Sequence, residues 1–291
     1  MVEYGINYSY WAQDWETDSE ELRDRLRRAS DIGFDFVELL SNPLLDWSES
    51  ERRAFKQTAE DLDLSLSFVN VLTPEADISS PDPAIRERGT DRWKASIELV
   101  DEMDGPVLAG TVGQWNPDFA VDLEEKAERV DRAVDEWRDI APVAAEHDVT
   151  CAVEVLNRFE QFMLNTAAEA RSFVDRVDSP NLHILLDTYH MNIEEDDMRA
   201  GIETAGDRLA HLHVGENNRR PPRPDGHIPW EEVAAGLRAV DYDGPVLMEP
   251  FVRPGGDIAR DIRVWREFDT AKDLDGAAAD SLAYLREVMG R

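Results

Sequence analysis

Cysteine, lysine and long apolar runs are what this chain has least of. A single cysteine, Cys151, excludes an intramolecular disulfide and any cysteine-built zinc cluster. Only four lysines occur (Lys56, Lys94, Lys126 and Lys272), so arginine carries most of the positive charge. That charge is heavily outweighed: 63 acidic residues stand against 31 basic ones, a formal net of −32. A field of that sign repels phosphate backbones and argues against nucleic acid as a partner. It also strains a compact state by self-repulsion, which salt screens beyond about 8–10 Å at ordinary ionic strength. The acidity is therefore read as adaptation to a salt-rich cell interior. No apolar run approaches the roughly 20 residues that cross a bilayer, so no membrane partner is expected. Met1-Val2-Glu3-Tyr4 runs straight into a strand-like segment without the parts of a signal peptide. The expected location is the cytoplasm.

What the sequence does contain is a repeated alternation of short β-branched runs with longer helical patterns. Its 291 residues, 42% of them hydrophobic, suit one large core. Strands are expected at Gly5–Ser9, Phe36–Leu40, Ser65–Val71, Val107–Gly110, Thr150–Val155, Leu182–Asp187, Leu209–Val214 and Val246–Glu249. Ser19 marks the start of a helix that stops at Gly33, and Ser48 or Ser50 caps the next. Pro83 sits in the first turn of a helix ending near Gly105. Thr166 caps 167–177, Pro229 opens a helix to about Val240, and Thr270 or Asp273 begins the last, which ends at Gly290. Eight βα units predict an α/β fold, a (β/α)8 barrel, with residues 1–291 forming a single domain. An open doubly wound sheet would need a glycine-rich first turn, and Tyr8-Ser9-Tyr10-Trp11 has none.

Barrel active sites lie at the C-terminal strand ends. Strands five to eight each end on a side chain able to ligate metal: Glu154, Asp187, His213 and Glu249. A single glutamate ending a strand is often just solvated. Four on consecutive strands, each after an apolar run, predict a buried site, where three carboxylates without a cation would be very costly. Three carboxylates and one imidazole suit one divalent ion per subunit, Mn²⁺ or Co²⁺, with Mg²⁺ as a further candidate. His211, two residues before His213, is assigned to the opposite strand face in a structural or supporting role. His147 and His183 are read as surface or packing residues, and Cys151 as a buried strand residue.

Glu154-Val-Leu-Asn-Arg-Phe-Glu160, Leu186-Asp-Thr-Tyr-His190-Met-Asn-Ile-Glu-Glu195, His211-Leu-His-Val-Gly-Glu-Asn-Asn-Arg219 and Met248-Glu-Pro-Phe251 resemble the ketose 3-epimerases. These include the D-tagatose and D-psicose (D-allulose) 3-epimerases, within the xylose-isomerase-like barrels. The likeness extends to Gly5-Ile-Asn-Tyr-Ser-Tyr-Trp11, Ser80-Pro-Asp82, Gly255-Gly256 and Val264-Trp265-Arg266. The resemblance implies a metal site of Glu154, Asp187, His213 and Glu249, with Glu154 and Glu249 also the acid/base pair. It implies sugar contacts from Glu160, His190 and Arg219, and a dimer or tetramer packed through the helical outside. Moving the C3 proton of a ketose needs a polarised neighbouring carbonyl and a base on each face, which this set supplies. Trp11, Trp15, Trp115 and Phe251 are candidates to wall the pocket.

The chain departs from the family pattern in its first half. Asn7 stands where an aromatic residue is usual, Val69-Asn70-Val71-Leu72 replaces a smaller run, and Trp115-Asn116-Pro117 separates a Trp-Pro pair. These positions are expected to meet the far end of the sugar, so the preferred ketose stays open, pentuloses and deoxy-ketoses included. Three rival functions share the barrel. An aldose–ketose isomerase would use the same metal and carboxylates on a C1–C2 proton. A metal-dependent endonuclease would need more histidines than six and a basic groove. A non-catalytic sugar binder would bind without turnover.

Overall fold

In the computed structural model, residues 2–119 and 121–290 are described. Eight parallel strands pair in chain order: β1 (Tyr4–Asn7), β2 (Phe36–Leu40), β3 (Ser65–Asn70), β4 (Val107–Gly110), β5 (Thr150–Glu154), β6 (Leu182–Asp187), β7 (Leu209–Val214) and β8 (Val246–Met248). β8 returns to pair with β1, Tyr4 opposite Val246, which closes the sheet into the expected barrel. The strands are apolar on both faces because one face fills the barrel and the other packs under helices. Four of the eight expected strand ranges match residue for residue, three end one residue earlier, and β1 is shifted by one residue at its start and two at its end.

Helix starts follow side-chain chemistry. Asp18, not Ser19, caps helix Ser19–Ile32, because its carboxylate accepts from both Glu20 N and Glu21 N at 2.9 Å. Ser48 caps Glu49–Glu60 and Thr166 caps Ala167–Val177, each in a reciprocal box with a glutamate three residues on. Asp82 caps Pro83–Glu102, with the proline at the first helical position. Asp273 caps the last helix, Leu274–Met289.

Helices Pro83–Glu102 and Leu123–Glu146 pack tightly behind β3 and β4. Trp93 and Trp137, both fully buried, meet edge-on with ring centroids 4.7 Å apart. Gly110 lies under them. A methyl there would sit 2.4 Å from the Asn70 carbonyl oxygen and 2.8 Å from the Trp93 ring. Gly110→Ala is therefore expected to lower stability by about 1–3 kcal/mol through overpacking. Chemical denaturation measures it, and an unchanged unfolding midpoint would contradict this packing.

Candidate metal centre

β5, β6, β7 and the residue just past β8 bring Glu154, Asp187, His213 and Glu249 together. One ligand-type atom from each lies within 4.8 Å of all the others. His213 Nδ1 is 3.9 Å from Glu154 Oε1 and 3.9 Å from Glu249 Oε1. Glu249 follows the last strand residue, but its N–H still donates to Val214 O at 3.1 Å, so the sheet aims it. Asp187 divides its oxygens: Oδ1 accepts from Tyr189 N at 2.8 Å and caps helix Thr188–Glu194, while Oδ2 faces inward.

The donor set fits a divalent cation. The three carboxylates and the imidazole are nearly all buried, and His213 Nδ1 has no hydrogen-bond partner among the described residues. Burial pushes Glu154 well above the ordinary carboxylate value and pushes Glu249 up to about 7. Burial would lower His213, but the Glu38 carboxylate outweighs it and holds the imidazole well above its ordinary value. A cation binds only the neutral ring, so metal binding displaces protons from this cluster.

Arg219 is the counter-charge that belongs to the protein. Its loop follows β7, and the residue adopts the left-handed backbone region at φ 62°. Nη1 donates to Glu249 Oε2 at 3.1 Å and Asp187 Oδ2 at 3.4 Å, and Nη2 donates to Glu160 Oε1 at 3.0 Å. The guanidinium carbon lies 3.7 Å from the centre of the Tyr189 ring. Glu216 fixes the loop, accepting from the backbone N–H groups of His227 and Ile228 and from Trp230 Nε1.

His190 has a determined tautomer. Its Nδ1 accepts from Asn157 N at 3.1 Å, which leaves the proton on Nε2, 3.6 Å from Asp187 Oδ2. Burial lowers this imidazole to about 4, so it is a neutral donor. Asn157 Nδ2 also donates to Glu160 Oε1 at 3.1 Å.

A pocket of about 280 Å³ opens onto Glu154, Glu160, His190, Arg219 and Glu249. Asn7, Trp15, Trp115 and Phe251 line it as expected. Trp15 meets Trp115 and Phe251 edge-on, at 5.9 and 6.1 Å between centroids. Trp115 Nε1 donates to Glu160 Oε2 at 3.2 Å, and Trp15 Nε1 to Asp261 Oδ2 at 3.0 Å.

Three expectations are corrected. Trp11 turns away from the pocket and donates to Asp275 on the last helix at 2.7 Å. Val69 and Val71 line the pocket, whereas Asn70 between them on β3 does not. His211 shares the face of His213, since residues two apart on a strand point the same way; its Nε2 lies 3.0 Å from Glu38 Oε2. Glu38 is the functional candidate that the sequence reading missed. The signal was present: one carboxylate inside the apolar run Phe36-Val-Glu-Leu-Leu40. His147 pairs with Asp101 and His183 with the Pro180 carbonyl, in the peripheral roles expected of them.

The Glu160–Arg219 pair makes a pH prediction. Burial would raise Glu160, but Arg219, His190, Trp115 and Asn157 together hold it at about 2, below its ordinary 4.5. The unfolded chain therefore binds this proton at higher pH. The group adds stability above its ordinary 4.5, and that contribution disappears as pH falls through about 2. Glu160→Gln is expected to flatten the stability–pH slope across that window, measured by denaturation at successive pH values. An unchanged slope would contradict the pairing.

The model of the xylose isomerase-like TIM barrel family matches residues 26–287. D-psicose 3-epimerase of Ruminiclostridium cellulolyticum is 36% identical over 99% of this chain and 98% of its own length. D-psicose 3-epimerase of Agrobacterium fabrum is also 36% identical, over 99% and 100%. Among solved structures, D-psicose 3-epimerase from Clostridium cellulolyticum H10 with D-tagatose superposes with a TM-score of 0.94 at 36% identity, covering 99% of each chain. With the ligand-type quartet and pocket in the same barrel, the chain belongs to the xylose isomerase-like TIM barrel family and, within it, to the ketose 3-epimerases.

Proposed function

We propose that this enzyme epimerises a free ketose at C3, interconverting D-psicose with D-fructose or D-tagatose with D-sorbose. The observation that carries this reading is the convergence of Glu154 and Glu249 on one small pocket beside Asp187 and His213. Glu154, Asp187, His213 and Glu249 would hold one divalent ion, most simply Mn²⁺, with Co²⁺ or Mg²⁺ as alternatives. Bound there, such an ion would supply Lewis-acid polarisation of the C2 carbonyl, acidifying the C3–H bond.

The chain's own residues do the rest. One of Glu154 and Glu249 removes the C3 proton, and the C–H electron pair moves into the carbon framework to give a cis-enediolate. The other carboxylate delivers its proton to the opposite face, so the two exchange protonation states in each turnover. His190 donates from Nε2 to a sugar oxygen, and Glu160, held ionised, accepts from a hydroxyl. Arg219 keeps Glu249 and Glu160 apart in charge and contributes its own donors to the sugar. Trp15, Trp115 and Phe251 cover the apolar face of the sugar and limit water. Asn7 lines the same pocket.

The aldose–ketose isomerase reading is not favoured, because the two relatives 36% identical along nearly their whole length are D-psicose 3-epimerases. The net charge of −32 supports work in a salt-rich cytoplasm. The family likeness supports a homodimer or homotetramer. The test is an assay of D-fructose, D-tagatose, D-psicose and L-ribulose with Mn²⁺, products separated by chromatography, at rising KCl concentration. C3 epimers are expected, with turnover highest in molar salt and lost on chelation of the metal. Aldose products, or no conversion of any ketose, would refute the proposal.

A further inference from the structure

Glu38 is fully buried inside the barrel, in the middle of β2. Three side chains hydrogen-bond its two oxygens, and the His213 imidazole makes a close ion-pair contact with one of them. Oε1 faces His213 Nε2 at 3.2 Å and Asn7 Nδ2 at 3.3 Å; Oε2 faces His211 Nε2 at 3.0 Å and Ser67 Oγ at 3.3 Å. The Asn7 amide is locked in this orientation, because its Oδ1 accepts from Ser9 N at 3.0 Å and Ser9 Oγ at 2.6 Å.

A buried charge so heavily hydrogen-bonded is often no more stabilising than apolar packing. Its consequence here is directional. A carboxylate only accepts, so it favours the proton of His213 on Nε2 and leaves the lone pair on Nδ1. Nδ1 is the atom aimed at Glu154 and Glu249. We propose that Glu38 is the positioning residue of the metal centre, setting both the tautomer and the aim of His213, with His211, Asn7 and Ser67 holding Glu38 in turn. This rests on reading Glu154, Asp187, His213 and Glu249 as a cation site. Glu38, His211 and His213 also cluster closely enough to resemble a metal site of their own. His211 Nε2 is hydrogen-bonded directly to Glu38 Oε2 at 3.0 Å and His213 Nε2 lies 3.2 Å from Oε1, so we read this trio as a carboxylate paired with two imidazoles.

The experiment titrates Mn²⁺ alone into metal-stripped wild-type, Glu38→Gln and Asn7→Leu proteins in molar KCl at neutral pH. Free ion is read by electron paramagnetic resonance, and folding is monitored by melting midpoint. One ion is expected per wild-type chain. Glu38→Gln should bind one ion about 10- to 100-fold more weakly, and Asn7→Leu about 2- to 5-fold more weakly, the effect of one hydrogen bond. A merely structural role would lower the melting midpoint and leave the affinity of the folded protein unchanged. Should Glu38→Gln fail to fold, Asn7→Leu and imidazole nitrogen NMR of the Mg²⁺-loaded wild type decide. The spectrum is expected to show His213 protonated on Nε2 only. Unchanged affinity in the folded variants, a proton on Nδ1, or two ions per wild-type chain overturns the inference while leaving the metal reading intact. A wild-type chain that binds no Mn²⁺ overturns the metal reading itself, and the inference with it.

Discussion

Mutual repulsion among buried carboxylates is the constraint around which the rest of this site is arranged. Glu38, Glu154, Glu160, Asp187 and Glu249 all point into the upper barrel, each almost wholly out of water apart from Glu249, which is partly exposed. Desolvating a carboxylate costs several kcal/mol, and neighbours of like charge add to that cost. The chain divides the load. Arg219 reaches Glu160, Asp187 and Glu249; the two β7 imidazoles face Glu38; and Glu154 is left with the least compensation from the protein. Glu154 and Glu249, whose carboxyls burial pushes up, are the two proposed to move the proton. A divalent cation answers the remaining charge.

The same constraint explains the surroundings. Arg219 occupies a left-handed backbone position in a loop tied down by Glu216, and its guanidinium lies against Tyr189. Asn157 fixes His190 and Glu160 at once, which turns two titratable groups into a donor and an acceptor of settled character. Trp115 belongs to this network as well as to the pocket wall, because its indole N–H holds Glu160. Leu40, Val69 and Val71 add apolar lining to the same pocket, and Asn42, Thr73 and Thr111 add polar groups away from the quartet's own residues.

Much of this was legible in the sequence, for physical reasons. Strands buried on both faces read as continuous apolar runs, so a polar residue ending such a run stands out, and four at βα spacing found the quartet. Capping and proline signals marked the starts near Asp18, Ser48, Pro83, Thr166, Pro229 and Asp273, two of them with an alternative a few residues away, and gave no start for helices such as Leu123–Glu146. What escaped were features that need the third dimension. Glu38 lies inside its strand rather than at the end, and its partners come from β1, β3 and β7. Asn157 looks like an ordinary loop residue until His190 is placed beside it. Trp11 and Trp15 have similar sequence contexts, and only the packing of the last helix sends one to Asp275 and the other to the pocket. For His211 the error lay in the strand geometry: residues two apart share a face, and the alternation was legible from the start.

The central claim is that two carboxylates serve the two faces of one sugar carbon. The most direct measurement follows deuterium from solvent during the first few per cent of conversion in D₂O. Each carboxylate holds at most one proton, and the ionised one that removes hydrogen is not the protonated one that delivers it. The account predicts that the new C3 epimer carries solvent deuterium at C3 from the outset while the remaining substrate stays unlabelled. Return of the original hydrogen to the product, or label entering remaining substrate as fast as product, would mean one base serves both faces and would contradict it.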